Sequence, residues 1–141
     1  MTAFNGKWTL KSSENMDAFM EACGVSAEVR ASALPKIDNV GGMVEEYIYD
    51  AASNSSKRNI YQNGTLSREG KSISMGKDIS DTTLDGRQIT ARFELPEPTK
   101  ATRTEQGPGY TSTAIMQIAG NSMTITMTCG SVCAVRKYEK Q

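Results

Sequence analysis

Ser122-Met123-Thr124-Ile125-Thr126-Met127-Thr128-Cys129, then Gly130-Ser131, then Val132-Cys133-Ala134-Val135-Arg136-Lys137-Tyr138, is the stretch that decides the fold class. Met123, Ile125, Met127 and Cys129 fall on one face of the first segment, and Thr124, Thr126 and Thr128 on the other. Strict alternation of this kind is the period of a half-buried β-strand. Gly130-Ser131 turns the chain, so the next segment returns as a hairpin partner. There the pattern weakens. Ala134, Arg136 and Tyr138 share one face, Cys133, Val135 and Lys137 the other, and neither is plainly apolar. Most arginines face solvent. An inward Arg136 would need an anion to meet it, because an unpaired buried charge costs several kcal/mol. The alternation leaves both orientations open.

The same texture extends back through most of the chain. Turn signals recur at Gly41-Gly42, Asp50 to Ser56, Asn63-Gly64, Glu69-Gly70, Asp85-Gly86, Pro96 to Pro98, Gly107-Pro108-Gly109 and Gly120-Asn121. Short strands joined in series by such turns predict an up-and-down antiparallel meander from Val40 onward. Before it, Phe4 to Lys11 reads as a first strand. Then the period changes: Met16, Phe19, Met20 and Cys23 stand at i, i+3, i+4 and i+7, the stripe of a short amphipathic helix. Asn15 or Ser13 suits its cap, and Gly24 its stop. A second helix is predicted from Ser26 as cap, with Val29, Ala33 and Leu34 apolar and Pro35 as its end.

The chain has 141 residues, which predicts one domain over 1–141. Lys plus Arg is 16 and Asp plus Glu is 16, so the basic excess of a nucleic-acid binder is missing. The chain has no histidine. That removes histidine acid–base chemistry, histidine triads and most zinc sites, and no cofactor or metal is expected. Three cysteines without a CxxC pair read as reduced thiols. No apolar run approaches the ~20 residues that cross a bilayer, and no secretory leader is legible at the N-terminus. The expected location is the cytoplasm. Eight methionines among three Phe, one Trp and five Tyr suggest an adaptable interior.

Three blocks resemble the fatty acid-binding protein family, the intracellular lipid-binding proteins. Phe4-Asn5-Gly6-Lys7-Trp8, Ser13-Glu14-Asn15-Met16-Asp17-Ala18-Phe19-Met20 and Gly24-Val25, with Arg30, are similar to the family's opening pattern. Ser80 to Arg87 resembles its DETTxDxR turn. Met127-Thr128-Cys129-Gly130 and Ala134-Val135-Arg136-Lys137-Tyr138-Glu139-Lys140 resemble its ending. The resemblance implies a ten-stranded antiparallel β-barrel of two nearly orthogonal sheets, capped by a helix–turn–helix. It implies a carrier of long-chain fatty acids or similar apolar carboxylates and no enzyme, with a retinoid, bile acid or other less anionic ligand as the alternative.

The resemblance also turns Arg136 inward, with Tyr138, as the carboxylate-binding pair. The family's second arginine aligns with Met116, and Arg103, with Glu105 nearby, is the expected substitute. Cavity and portal positions then fall to Met16, Met20, Val25 and Leu66, to Met75 and Asp85, and to Met116, Ile125 and Met127. The segment 31–64 departs from the family's signals, and the chain's extra length is expected at the Asp50–Arg58 turn. A long acyl chain with about fifteen methylenes, at ~0.8 kcal/mol each, offers on the order of 12 kcal/mol before the costs of ordering. Glu14, Asp17, Glu21 and Glu28 outnumber Arg30 around the helices, so membrane contact is expected to be transient at most, and the protein a monomer. Three rivals stand beside this reading. Gly6-Lys7-Trp8 also fits a secreted lipocalin; Asp81, Asp85, Glu94 and Glu105 offer carboxylates to an enzyme; a filled barrel would be a pure interaction domain.

Overall fold

A computed structural model describes residues 2–83 and 86–141. A 3-10 turn, Thr2–Phe4, leads into β1 (Gly6–Glu14), followed by α1 (Met16–Ala22) and α2 (Ala27–Ile37). The strands β2 (Met43–Asp50), β3 (Ser55–Gln62), β4 (Thr65–Arg68), β5 (Ile73–Ser74) and β6 (Asp78–Thr82) come next. Then come β7 (Gln88–Glu97), β8 (Lys100–Gly107), β9 (Tyr110–Ala119), β10 (Ser122–Cys129) and β11 (Val132–Lys140). All ladders are antiparallel, in the order β4-β3-β2-β1-β11-β10-β9-β8-β7-β6. This is the expected up-and-down barrel. The chain meets itself where β1 pairs with β11, and no ladder joins β4 to β6 among the described residues.

The two helices pack over the barrel as the period predicts. Met16, Phe19, Met20 and Cys23 are all buried, and they meet Cys129 and Ala134 from β10 and β11. Asn15 caps α1 by place but not by its side chain, which makes no capping bond and instead donates to the Cys133 carbonyl at 2.9 Å. Ser26 does cap α2, accepting from the Val29 amide at 3.3 Å. Pro35 does not end α2, which runs on to Ile37. A proline in the last turn removes only the N–H that would reach Ala31, which is exposed. The Asp38 amide then closes the end on the Leu34 carbonyl at 2.8 Å. Arg30 locks the helices together, donating to Asp17 at 2.8 Å, Glu21 at 3.0 Å and the Val25 carbonyl at 2.6 Å.

A second core lies at the other end of the barrel. Trp8, Leu10, Met123 and Tyr138 are almost completely buried there, with Phe4, Met43 and Ile125 beside them. The Trp8 indole donates to the Phe4 carbonyl at 2.9 Å, which satisfies its one polar atom.

β4 and β5 both pair with β3, so eleven segments fill ten strand positions. The pairing runs Ile60↔Arg68 and then Ser56↔Ile73, and residues 69–72 lie off the ladder between. Asn59 bridges the break. Its side-chain Oδ1 accepts from the Gly70 amide at 3.1 Å. Gly70 itself has no room for a side chain, since a Cβ there would stand 2.0 Å from the Arg58 carbonyl oxygen. The hairpin before the break is closed by Asn63 and Gly64, both at positive φ (52° and 84°), as a two-residue hairpin turn prefers. Gly70→Ala must push backbone against backbone, an overpacking worth ~1–3 kcal/mol, so Tm should fall by roughly 3–12 °C. Thermal unfolding followed by circular dichroism checks this, and an unchanged Tm would contradict the crowding.

Candidate ligand site inside the barrel

Register fixes which side chains share the inner face. On β11, Ala134, Arg136 and Tyr138 stand beside Met127, Ile125 and Met123 of β10. Those in turn face Ala114, Met116 and Ile118 of β9. The inner face continues through Ala101, Arg103 and Glu105 on β8. On the opposite flank it runs through Trp8 and Glu45 to Ile60, and through Gly6 and Tyr47 to Arg58.

Arg136 is 4 % exposed and points inward. Its Nε donates to the Tyr138 hydroxyl at 2.9 Å. One terminal nitrogen donates to Ser13 Oγ at 2.9 Å and Asp38 Oδ1 at 3.3 Å. The other donates to the Ile37 carbonyl at 2.7 Å and the Met43 sulfur at 3.3 Å. A guanidinium has five N–H groups, and here all five have an acceptor. The anion that an inward arginine demands is Asp38, the C-cap residue of α2. Ser13 joins the pair by donating to Asp38 at 2.6 Å.

A second ion pair lies on β2 and β3. Arg58 donates to Glu45 Oε1 at 3.1 Å. The Glu45 side chain is 3 % exposed, whereas Arg58 remains 51 % accessible although it shares the inner face, so open space adjoins it. The other Glu45 oxygen and the Tyr47 hydroxyl are buried without a hydrogen-bond partner. Burial first, and the Glu45 charge second, push the Tyr47 and Tyr138 phenols above their ordinary range, so both stay protonated. For Arg58, burial is the largest influence and opposes the charge, but Glu45, Tyr47 and Tyr138 together outweigh it and raise its pKa.

Arg103 shares the inner face too, on β8. It is paired with Glu105, which also accepts from the Tyr110 hydroxyl at 2.6 Å. Burial, then that hydrogen bond, pushes the Tyr110 phenol up. The Arg103 guanidinium lies 5.6 Å from the Phe93 ring centre. Among the described residues no hydrogen bond or ion pair joins Arg103 to Arg136; Arg136 acts on the Tyr138 phenol, and Arg58 is in electrostatic contact with it as well. Sequence reading did not find Arg58, Glu45 or Tyr47. The one signal was that β2 carries polar residues on both faces.

The apolar positions divide between the two cores. Ile125 belongs to the first, with Met116 packed against it. Met16 and Met20 belong to the second, with Val25 against it, and Met127 touches both. Met75 is buried and lines a cleft of about 290 Å³ with Tyr49 and Leu95. Leu66 is 48 % exposed on β4, paired with Tyr61 on the face away from Arg58. Asp85 lies outside the described residues.

No protein-family model matches the chain. It is 28 % identical over 140 residues to "Fatty acid-binding protein type 2" of Fasciola hepatica, covering 99 % of both chains. It is 29 % identical over 140 residues to the "14 kDa fatty acid-binding protein" of Schistosoma mansoni, covering 99 % of this chain and 98 % of that one. Among solved structures, a Schistosoma mansoni fatty acid binding protein in complex with arachidonic acid superposes with a TM-score of 0.82 at 26 % identity, covering 100 % of this chain and 98 % of the other. Over its whole length the chain is similar to fatty acid-binding proteins, and it shares their fold. Within that family fold, the interior carries polar side chains on three walls: β11, the β2–β3 pair and β8.

The thiols give an independent check of the inner face. Cys23 and Cys129 are buried and Cys133 is exposed. Burial first, then the neighbouring Cys129, pushes the Cys23 thiol up to about 12. At pH 8 iodoacetamide should therefore label Cys133 alone in the native protein and all three after denaturation, read by intact mass. Because the unfolded thiol ionises near 9.0, the unfolded chain holds fewer protons above that pH. Stability should accordingly decline between pH 9 and 12.

Proposed function

We propose that the protein binds a long-chain fatty acid inside the barrel and carries it, with Arg136 and Tyr138 facing the ligand carboxylate. The observation that supports this most is Arg136 itself. It is a buried guanidinium hydrogen-bonded to Tyr138, in a chain alike along its whole length to a protein solved with arachidonic acid. All five Arg136 donors already have acceptors, so an incoming carboxylate must take the place of one of them. Asp38 is the natural one to yield. It is the longest of the four oxygen contacts, and its side chain is 39 % exposed, so water can receive it. Displacing it would undo one of the two ties from Arg136 to the end of α2, the other being the Ile37 carbonyl, so ligand uptake is coupled to the helical cap.

The acyl tail would run over Met116, Ile125 and Met127, whose flexible thioethers and branched chain conform to varied ligands. In this reading the protein is a carrier without a catalytic step, a monomeric single domain of the cytoplasm that touches membranes only in passing. Its support is the full-length likeness to proteins named for fatty-acid binding. Among the described residues no helix is long and apolar enough to cross a membrane.

A less anionic ligand is a second reading, favoured by one observation: Asp38 and Glu45 already neutralise Arg136 and Arg58. Native mass spectrometry of co-purified lipid, with displacement of a fluorescent fatty-acid probe, separates the readings. Acyl carboxylates and probe displacement are expected; an empty protein that ignores the probe would end the carrier proposal. Arg136→Ala should weaken a fatty acid by roughly 10- to 100-fold, the worth of a charge-assisted hydrogen bond. Its methyl ester should lose far less. Equal losses would mean that Arg136 does not read the head group.

A further inference from the structure

The Glu45–Arg58–Tyr47 group has a chemistry that a plain fatty acid cannot satisfy. Glu45 is almost wholly buried, and one of its oxygens accepts from Arg58 while the other has no donor. The Tyr47 hydroxyl beside it lacks a partner too. Of the five Arg58 N–H groups one donates to Glu45; Tyr47 stands close beside the guanidinium, and the side chain is half accessible. The fold does not require this arrangement. A buried ion pair replaced by apolar side chains of similar size is often no less stable. Ile60, the neighbour paired with Glu45, shows that this wall accepts such residues.

The group therefore combines one demand for a donor, at Glu45, with spare donors at Arg58 and Tyr47. A carboxylate brings acceptors only, and a second negative charge beside Glu45 is unfavourable. An alkyl chain brings nothing polar. A hydroxyl fits both halves, donating to Glu45 and accepting from Tyr47 or Arg58. The raised Tyr47 phenol keeps its proton and remains a donor. The group also adjoins the head-group cluster, since Tyr138 bonds to Arg136 and feels the Glu45 charge.

We propose that Glu45, Arg58 and Tyr47 form a hydroxyl-reading subsite, and that the preferred ligands are long-chain fatty acids bearing a hydroxyl group. This inference rests on the fatty-acid reading and narrows its ligand class. In an apolar lumen an added hydroxyl lowers affinity, because it must be desolvated; here it should raise it.

The test uses the delipidated full chain and displacement of a fluorescent fatty-acid probe. Hexadecanoic acid is compared with its 2-, 3- and mid-chain hydroxy derivatives. At least one hydroxy acid should bind roughly tenfold more tightly than the parent, the worth of hydrogen bonds to a charged group. Glu45→Leu with Arg58→Leu removes the pair together and leaves no orphaned charge. That variant should lose the preference, read as the ratio of hydroxy-acid to hexadecanoic-acid affinity within the same variant. Glu45→Gln, which keeps size and shape, should cut the preference by about threefold or more, since a neutral acceptor is roughly half as strong. Hydroxy acids that bind no better than the parent, or a preference that survives these substitutions, would overturn the subsite and leave the carrier reading standing. A chain that binds none of the acids would overturn the carrier reading itself.

Discussion

A guanidinium inside a barrel has to be answered, and much of this structure is the answer to Arg136. Its acceptors come from β1 through Ser13, from the end of α2 through Ile37 and Asp38, from β2 through Met43, and from its own strand through Tyr138. One side chain thus ties the strand that closes the β1–β11 seam to the helical cap above it. Removing Asp38 would leave the buried Arg136 without its charged partner, whereas Asp38, part-exposed, could turn to water. The position of α2 is accordingly set less by its own apolar face, which buries no residue completely, than by the charge beneath its C-terminus.

That constraint shapes the interior chemistry. Two arginines, two carboxylates and two phenols gather around the β1–β2–β3 flank and β11, while Arg103, Glu105 and Tyr110 form a separate group on the other wall. Each arginine has its own internal carboxylate. The interior is therefore charged in detail and nearly neutral in sum, unlike a pocket with an uncompensated cation waiting for an anion. A ligand acid must compete with Asp38, and a ligand donor finds Glu45 ready. The apolar cores at either end supply the rigidity against which such exchanges occur.

How much of this could be read beforehand depended on how local the cause was. The alternation in Ser122–Cys129 is local, and β10 appears with its inner face as read. The stripe of Met16, Phe19, Met20 and Cys23 is local too, and α1 buries it. The end of α2 was misplaced at Pro35, because a proline in a last turn costs little when Asp38 and Ile37 are held from below. Glu69-Gly70 reads as an ordinary turn, but residues 69–72 form a break within one strand position, bridged by Asn59 from the neighbouring strand.

The sequence alone determined the β-meander, the helix pair, the family likeness and the identity of Arg136 and Tyr138 as an anomalous pair on one face. These follow from periods of two and 3.6 residues and from ordered motifs, which one stretch of chain carries by itself. Only the tertiary structure decided what meets Arg136 and which second cation stands near it. Asp38 is 98 positions from Arg136, and Arg58 pairs with Glu45 only because residues 51–54 set the register between β2 and β3. A one-residue slip there would turn Arg58 outward and leave Glu45 alone inside. Charge pairing across a barrel is a property of register, and register belongs to the folded chain.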